Sequence, residues 1–110
     1  MATTVRKSGT SRKGTSFDDV TVQAVWNKAQ IVPGVDPRVK RKDSCGAWIN
    51  PADYGLTTHL GGGWEVDHIK PASRGGTDDL YNLQALQWEN NRGKGDSEYG
   101  WTCAVVSRAL

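Results

Sequence analysis

The 110-residue chain has two cysteines, two histidines, one phenylalanine and one methionine, and each scarcity closes off a class. Cys45 and Cys103 are too few for the disulfide framework that staples many small secreted domains. A single bridge between them is an alternative, but free thiols in a reducing cytoplasm are the expectation, and the protein is read as cytoplasmic. No apolar run approaches the roughly 20 residues of a membrane span, so no membrane partner is expected. Residues 1–15 lack acids, and they also lack the apolar stretch of a signal peptide. A chain this short rarely supports two cores, so one domain is expected.

Tryptophan, by contrast, is abundant. Trp26, Trp48, Trp64, Trp88 and Trp101 can each bury a large apolar area, enough for a compact core without other help. Thirteen glycines and four prolines point to a loop-rich fold. The net charge of +2 is small, but its distribution is uneven. Arg6, Lys7, Arg12 and Lys13 stand among Ser, Thr and Gly with almost nothing to bury, so residues 1–15 read as a flexible basic arm. A second cluster is Arg38, Lys40, Arg41 and Lys42. The remainder, 16–110, is net negative, so attraction to a polyanion must come from these patches.

Ser16 suits a helix N-cap, with Asp18 and Asp19 in the first turn. Phe17, Val20, Val22, Val25, Trp26 and Ala29 carry the pattern to about Gln30, before Pro33-Gly34 stops it. The valines also permit a strand. Arg41 to Asn50 reads as a short strand, and Gly61–Gly63 as a joint into another over 64–69. Pro71 to Thr77 is a loop, 80–86 the returning strand and 87–94 a helix. Trp101 onward reads as one more strand. The sum is a small α+β domain. Glu65 and Glu89 read as solvent-facing charges, and His59 as incidental.

The stretch from Trp64 to Pro71 sets Asp67 beside His68, with Asn82-Leu83-Gln84 and Asn91-Arg92-Gly93-Lys94 further on. These groups suit hydrolysis of a phosphodiester. A neutral imidazole, with an ordinary pKa of about 6.5, can take a proton from water near neutrality. The carboxylate of Asp67 and the amide oxygen of Asn91 are hard donors, which favour Mg²⁺ or Mn²⁺ over zinc. Asn82 is placed to hydrogen-bond across the loop and fix the backbone carrying His68. Neighbours on a strand point to opposite faces; a break in the alternation at the strand's end is expected to bring Asp67 and His68 together.

Asp67-His68-Ile69-Lys70-Pro71-Ala72-Ser73-Arg74-Gly75-Gly76, followed by Asn82-Leu83-Gln84 and Asn91-Arg92-Gly93-Lys94, resembles the HNH (ββα-metal) endonuclease motif over about residues 64–96. An ordered set over such a span is far more specific than a lone Asp-His pair. The resemblance implies a two-stranded ribbon packed on a helix and gripping one divalent metal. It implies His68 as general base, Asp67 and Asn91 as metal ligands, Asn82 as the loop-orienting residue of the catalytic set, and 5′-phosphate and 3′-hydroxyl products. The implied partner is DNA, double-stranded, cut one strand per site. Arg92 and Lys94, with Arg38, Lys40, Arg41 and Lys42, are candidate nucleic-acid contacts, and the basic arm would join them in holding the backbone without reading sequence.

Many small HNH proteins bind a structural zinc through two Cys-x-x-Cys pairs. Here the first pair keeps only Cys45, and the second falls on Gln87 and Asn90. One thiol cannot close a four-ligand site, so no structural zinc is expected. The tryptophans and the N-terminal helix are left to supply its stability. Two other readings stand beside the DNA endonuclease: a non-catalytic nucleic-acid-binding module, and a toxin-type or RNA-directed nuclease with the same site.

Overall fold

The computed structural model describes residues 6–59 and 61–107. Helix α1 spans Asp19–Trp26. Its N-cap is Asp18 rather than Ser16: Oδ1 of Asp18 accepts from the Thr21 amide at 2.8 Å. The helix ends short of Gln30 because that residue is drawn into an antiparallel bridge with Lys42. Arg41 closes the helix end. Its Nη1 donates to the carbonyls of Trp26, Asn27 and Ala29, and its guanidinium lies over the Trp26 ring.

The segment 41–50 is a hairpin rather than one strand. Strands β1 (Arg41–Lys42) and β2 (Trp48–Ile49) pair antiparallel across a turn. The turn forms because Oδ1 of Asp43 accepts the amides of Cys45 and Ala47, while Gly46 takes a positive φ of 83°. Strands β3 (Trp64–His68) and β4 (Leu83–Gln87) make a second antiparallel pair, with Asp67 opposite Gln84 and His68 opposite Leu83. Residues 80–82 form a 3-10 turn, so β4 begins later than the sequence suggests. Helix α2 (Trp88–Lys94) follows at once, its N-cap Gln87 accepting from the Asn90 amide. Among the described residues, two α-helices and two small sheets make the expected α+β domain.

Val25, Trp26, Ile49, Trp64, Val66, Leu83 and Ala85 form the core between α1 and the sheets. Burying each of the larger side chains stabilises the fold by about 1.5–3 kcal/mol. Of the five tryptophans, Trp26 and Trp64 are buried there, tilted against each other at 5.6 Å between centroids.

The hairpin and α2 are tied by a polar clasp. Oδ2 of buried Asp43 accepts from the Gln87 amide at 2.9 Å and from Asn90 Nδ2 at 3.1 Å. This joins the two places where a zinc clasp would have its cysteine pairs, so a carboxylate network performs the tethering there. Residues 101–107 form no strand. They are held instead by side chains: Asn90 exchanges two hydrogen bonds with the Val105 main chain, and Ser107 Oγ accepts from the Trp48 amide. Cys45 and Cys103 are joined in a disulfide, which corrects the expectation of free thiols. The stability assigned by sequence to tryptophans and α1 is therefore shared with the clasp and the bridge.

Of the basic arm, residues 1–5 lie outside the described residues. Residues 6–15, read from sequence as flexible, run in tight turns against the domain. Ser11 is buried, its amide donates to the Thr15 carbonyl, and the Gly14 amide donates back to Ser11.

Candidate active site

Strand β3 keeps its pleat to the last residue. Glu65 and Asp67 face α2, while Trp64, Val66 and His68 face α1 and the loop after β3. Asp67 and His68 therefore point to opposite sides, and the expected break in alternation does not occur. The strand ends there, so both still border one hollow of about 60 Å³, which Asn91 also lines.

The loop between β3 and β4 is built to hold His68. Pro71 leads into a 3-10 turn at Ala72–Arg74, which Gly75 ends at a φ of 87°. A Cβ at Gly76 would collide with the Lys70 carbonyl oxygen, so glycine is required for the loop to fold back on itself. Asn82 bridges the loop. Its Oδ1 accepts from the Lys70 amide at 2.8 Å, and its Nδ2 donates to the carbonyls of Lys70 and Thr77. The Asn82 amide thus ties the two ends of the loop together.

The loop closure also brings Asp78 to the imidazole. His68 Nε2 lies 2.8 Å from Asp78 Oδ1, and Phe17 packs on the ring with centroids 5.9 Å apart. An ionised carboxylate only accepts, so Nε2 is the donor in this contact, which leaves Nδ1 as the acceptor whenever the ring is neutral. Burial raises the pKa of Asp78, but hydrogen bonds from His68 and the Arg12 amide, with the charges of both, leave it lowered. Ionised Asp78 is therefore the state that faces the ring.

On the other face, Asp67 is buried with Gln84 Nε2 on Oδ2 at 2.9 Å and Lys94 Nζ at 3.2 Å from Oδ1. Burial pushes its pKa up, opposed by Gln84, Lys94 and His68. Lys94 also donates to the His68 carbonyl at 2.8 Å, and its side chain is only 1 % exposed. It is an internal brace, not the nucleic-acid contact expected from sequence. Glu65, read as solvent-facing, is buried as well. Its carboxylate accepts from Asn91 Nδ2 at 3.0 Å and pairs with Arg92 at 3.1 Å. Because a carboxylate cannot donate, Glu65 fixes which end of the Asn91 amide faces it. Oδ1 is left as the end free for the hollow.

The remaining basic candidates divide. Arg41 is taken up by the α1 carbonyls. Arg38 is exposed but forked onto Asp36, and Lys40 and Lys42 lie over the Trp48 ring at 4.6 and 4.7 Å. Arg92 is half-exposed on its Glu65 pair. His59 is exposed beside Trp88 and Glu89.

Four site residues were given no role by the sequence reading: Asp78, Glu65, Gln84 and Asp96. Glu65 and Asp67 differ by the strand period of two, a signal that they share a face and that Glu65 belongs to the site. Asp78 gives no such signal, since only the folded loop carries it to His68.

A motif-ordered strand pair and helix, with Asp67, His68 and Asn91 around one hollow, matches a known family. Residues 55–97 fit the family described as HNH endonuclease. The chain carries an HNH domain. No curated protein and no solved structure matches the chain. An HNH domain points to nuclease activity in general and to a nucleic acid as substrate, and the family usually uses a divalent metal.

The donors of this HNH domain fit such an ion. Asp67 accepts one hydrogen-bonding partner on each oxygen, which leaves a lone pair on each. The hollow of about 60 Å³ has room for an ion with bound water. Asp96 also borders it, a further carboxylate that the sequence reading did not pick out. Among the described residues there is no cluster of three or more His, Cys, Asp or Glu arranged for a metal.

Proposed function

We propose that this protein is a metal-dependent endonuclease that hydrolyses phosphodiester bonds of double-stranded DNA. The reading rests above all on one arrangement: Asp67, His68 and Asn91 border the same hollow, with the His68 imidazole held by Asp78 and the Asn91 amide held by Glu65. A binding module would have no need of an oriented base on one side and hard oxygen donors on the other.

Asp67 and Asn91 would hold one divalent ion, Mg²⁺ or Mn²⁺, whose Lewis acidity stabilises the charge that develops on the leaving 3′-oxygen. His68 takes a proton from water at Nδ1 as the water oxygen bonds to phosphorus. Ionised Asp78 stabilises the imidazolium that forms and holds the ring in the productive tautomer. The P–O3′ bond breaks, and the 3′-oxygen collects a proton from solvent to give a 3′-hydroxyl and a 5′-phosphate. Asn82 keeps the loop closed beneath these groups. Glu65 keeps the Asn91 oxygen turned to the ion, and Lys94 offsets the buried charge of Asp67.

Supercoiled plasmid, mixed with the protein and Mg²⁺ or Mn²⁺, tests the reading, with EDTA and His68→Ala as controls. Nicking that needs the metal and His68 is expected. DNA binding without cleavage under either metal would instead favour the scaffold reading, and selective cleavage of RNA the RNA-directed one. Nicking undiminished in His68→Ala would remove the imidazole from its role.

A further inference from the structure

Two basic patches stand out in the sequence, and folding treats them differently. At the 38–42 cluster the charges are engaged: Arg38 by Asp36, Arg41 by the α1 carbonyls, Lys40 and Lys42 by the Trp48 ring. Arg92 and Lys94 are paired with Glu65 and Asp67. Among the described residues, Arg6, Lys7, Arg12 and Lys13 have no carboxylate partner within salt-bridge distance. These four cations, with the hydroxyls of Thr10 and Ser16, line one hollow of about 540 Å³ that contains no acid.

The hollow is a shaped feature. Arg6 Nη1 donates to the Thr10 carbonyl at 2.8 Å, and Thr10 Oγ1 donates to the Lys7 carbonyl at 2.6 Å. The buried Ser11 hydroxyl accepts from the amides of Lys13 and Thr15. Its place is fixed relative to the catalytic groups. Arg6 lines both this hollow and the one bordered by Asp67, His68 and Asn91. The Arg12 amide donates to Asp78 at 2.9 Å, so the segment's backbone is pinned to the carboxylate that holds His68. Four like charges held close repel one another and weaken the fold unless an anion joins them. A phosphodiester chain supplies such anions at regular spacing, and a strand with its scissile phosphate at His68 has neighbouring phosphates within reach of Arg6.

We propose that residues 6–16 form a phosphate cradle that seats the sugar–phosphate backbone on one side of the scissile bond. The cradle rests on the nuclease reading for its place in catalysis, and it binds through charge and hydroxyls without reading bases.

The test is DNA affinity against salt, by fluorescence anisotropy of a labelled duplex in EDTA, where no cleavage occurs. The parent is compared with a Lys7→Ala, Arg12→Ala, Lys13→Ala triple variant. These side chains are exposed, and Arg6, which ties the turn, is left in place. Each lost phosphate contact lowers the slope of log K against log salt by about 0.9, so the triple variant is expected to lose about 2–3 from the slope and on the order of 100-fold in affinity at 0.1 M salt. In the plasmid assay its KM rises. Removing Arg38, Lys40 and Lys42 together is expected to change the slope by less than about 1. A Lys7→Arg, Lys13→Arg variant keeps the charge and is expected to keep the slope, which separates charge loss from a damaged turn.

A parent that binds no DNA overturns the cradle, and so does a triple variant with an undiminished slope. Cleavage by the parent is scored separately. Binding that depends on the arm without any cleavage sustains the cradle and sinks the nuclease reading. Cleavage with an unchanged slope does the reverse.

Discussion

Nε2 of His68 and the main-chain amide of Arg12 meet on one oxygen of Asp78, at 2.8 and 2.9 Å. A residue ten positions after His68 thus orients its ring, and the N-terminal segment in turn braces that residue. Replacing Asp78 by Asn keeps the shape but lets an amide N–H face the ring, which favours the tautomer with Nδ1 protonated. Asp78→Asn is expected to lower kcat by on the order of 10²–10⁴, by analogy with the tautomer effect in catalytic triads, with KM little changed. Steady-state plasmid nicking reads this directly. A kcat within about threefold of the parent would remove Asp78 from the mechanism.

Glu65 holds the Asn91 amide, and Asn91 offers its oxygen to the hollow. Asn91→Ala removes a donor, and Glu65→Ala frees the amide to flip. Both variants are expected to weaken Mn²⁺ binding, Glu65→Ala by about 10–100-fold, the usual cost of losing a partner behind a ligand. Isothermal titration calorimetry measures it. Unchanged affinity in Asn91→Ala would show the ligand set to be different.

Asp43 accepts four hydrogen bonds, from the amides of Cys45, Ala47 and Gln87 and from Asn90 Nδ2. Asp43→Ala strands these donors in the interior, each costing about 1–3 kcal/mol when left unpaired. A total loss of about 3 kcal/mol or more is expected in urea denaturation. A loss under about 1 kcal/mol would mean that the clasp does not replace a zinc tether.

The Cys45–Cys103 bridge closes a loop across 58 positions of sequence. The chain-entropy relation gives about 4 kcal/mol for a loop of this length, with about 2–4 kcal/mol typical of measured bridges. Cys45→Ser with Cys103→Ser is therefore expected to lower stability by about that much, read as a shift in the denaturation midpoint. Mass spectrometry of the alkylated, unreduced protein checks the bridge itself: two free thiols would disprove it.

Acid should unfold the protein partly through α1. Hydrogen bonds from Thr21 hold the Asp18 carboxyl below its ordinary value of 3.8. A carboxyl lowered in the folded state contributes stability above 3.8, and the contribution fades as pH falls through the lower folded value. Parent minus Asp18→Asn stability is therefore expected to shrink with acid across that window. The raised Asp67 is common to both proteins and cancels in the difference. Melting curves from pH 7 to about 2 measure it, and a constant difference would contradict the cap.

The local chemistry of the ribbon and helix was legible from residues alone. Asp67-His68, the Pro71 loop, Gly75-Gly76, Asn82 and Asn91 are set by short-range rules, since turn geometry and the strand period act over a few residues. Interactions between distant positions were not legible. Asp43 meets Asn90 across 47 residues, Lys94 turns inward to Asp67 across 27, and Cys45 finds Cys103 only because Asn90 and Ser107 lay the C-terminal segment beside the hairpin. A charge in a sequence looks the same whether it ends at the surface or inside. Only the packed structure decides that Lys94 and Glu65 are braces, because burial makes a partner obligatory. The same rule leaves the arm's four cations, none of them in a salt bridge, where a phosphate chain can reach.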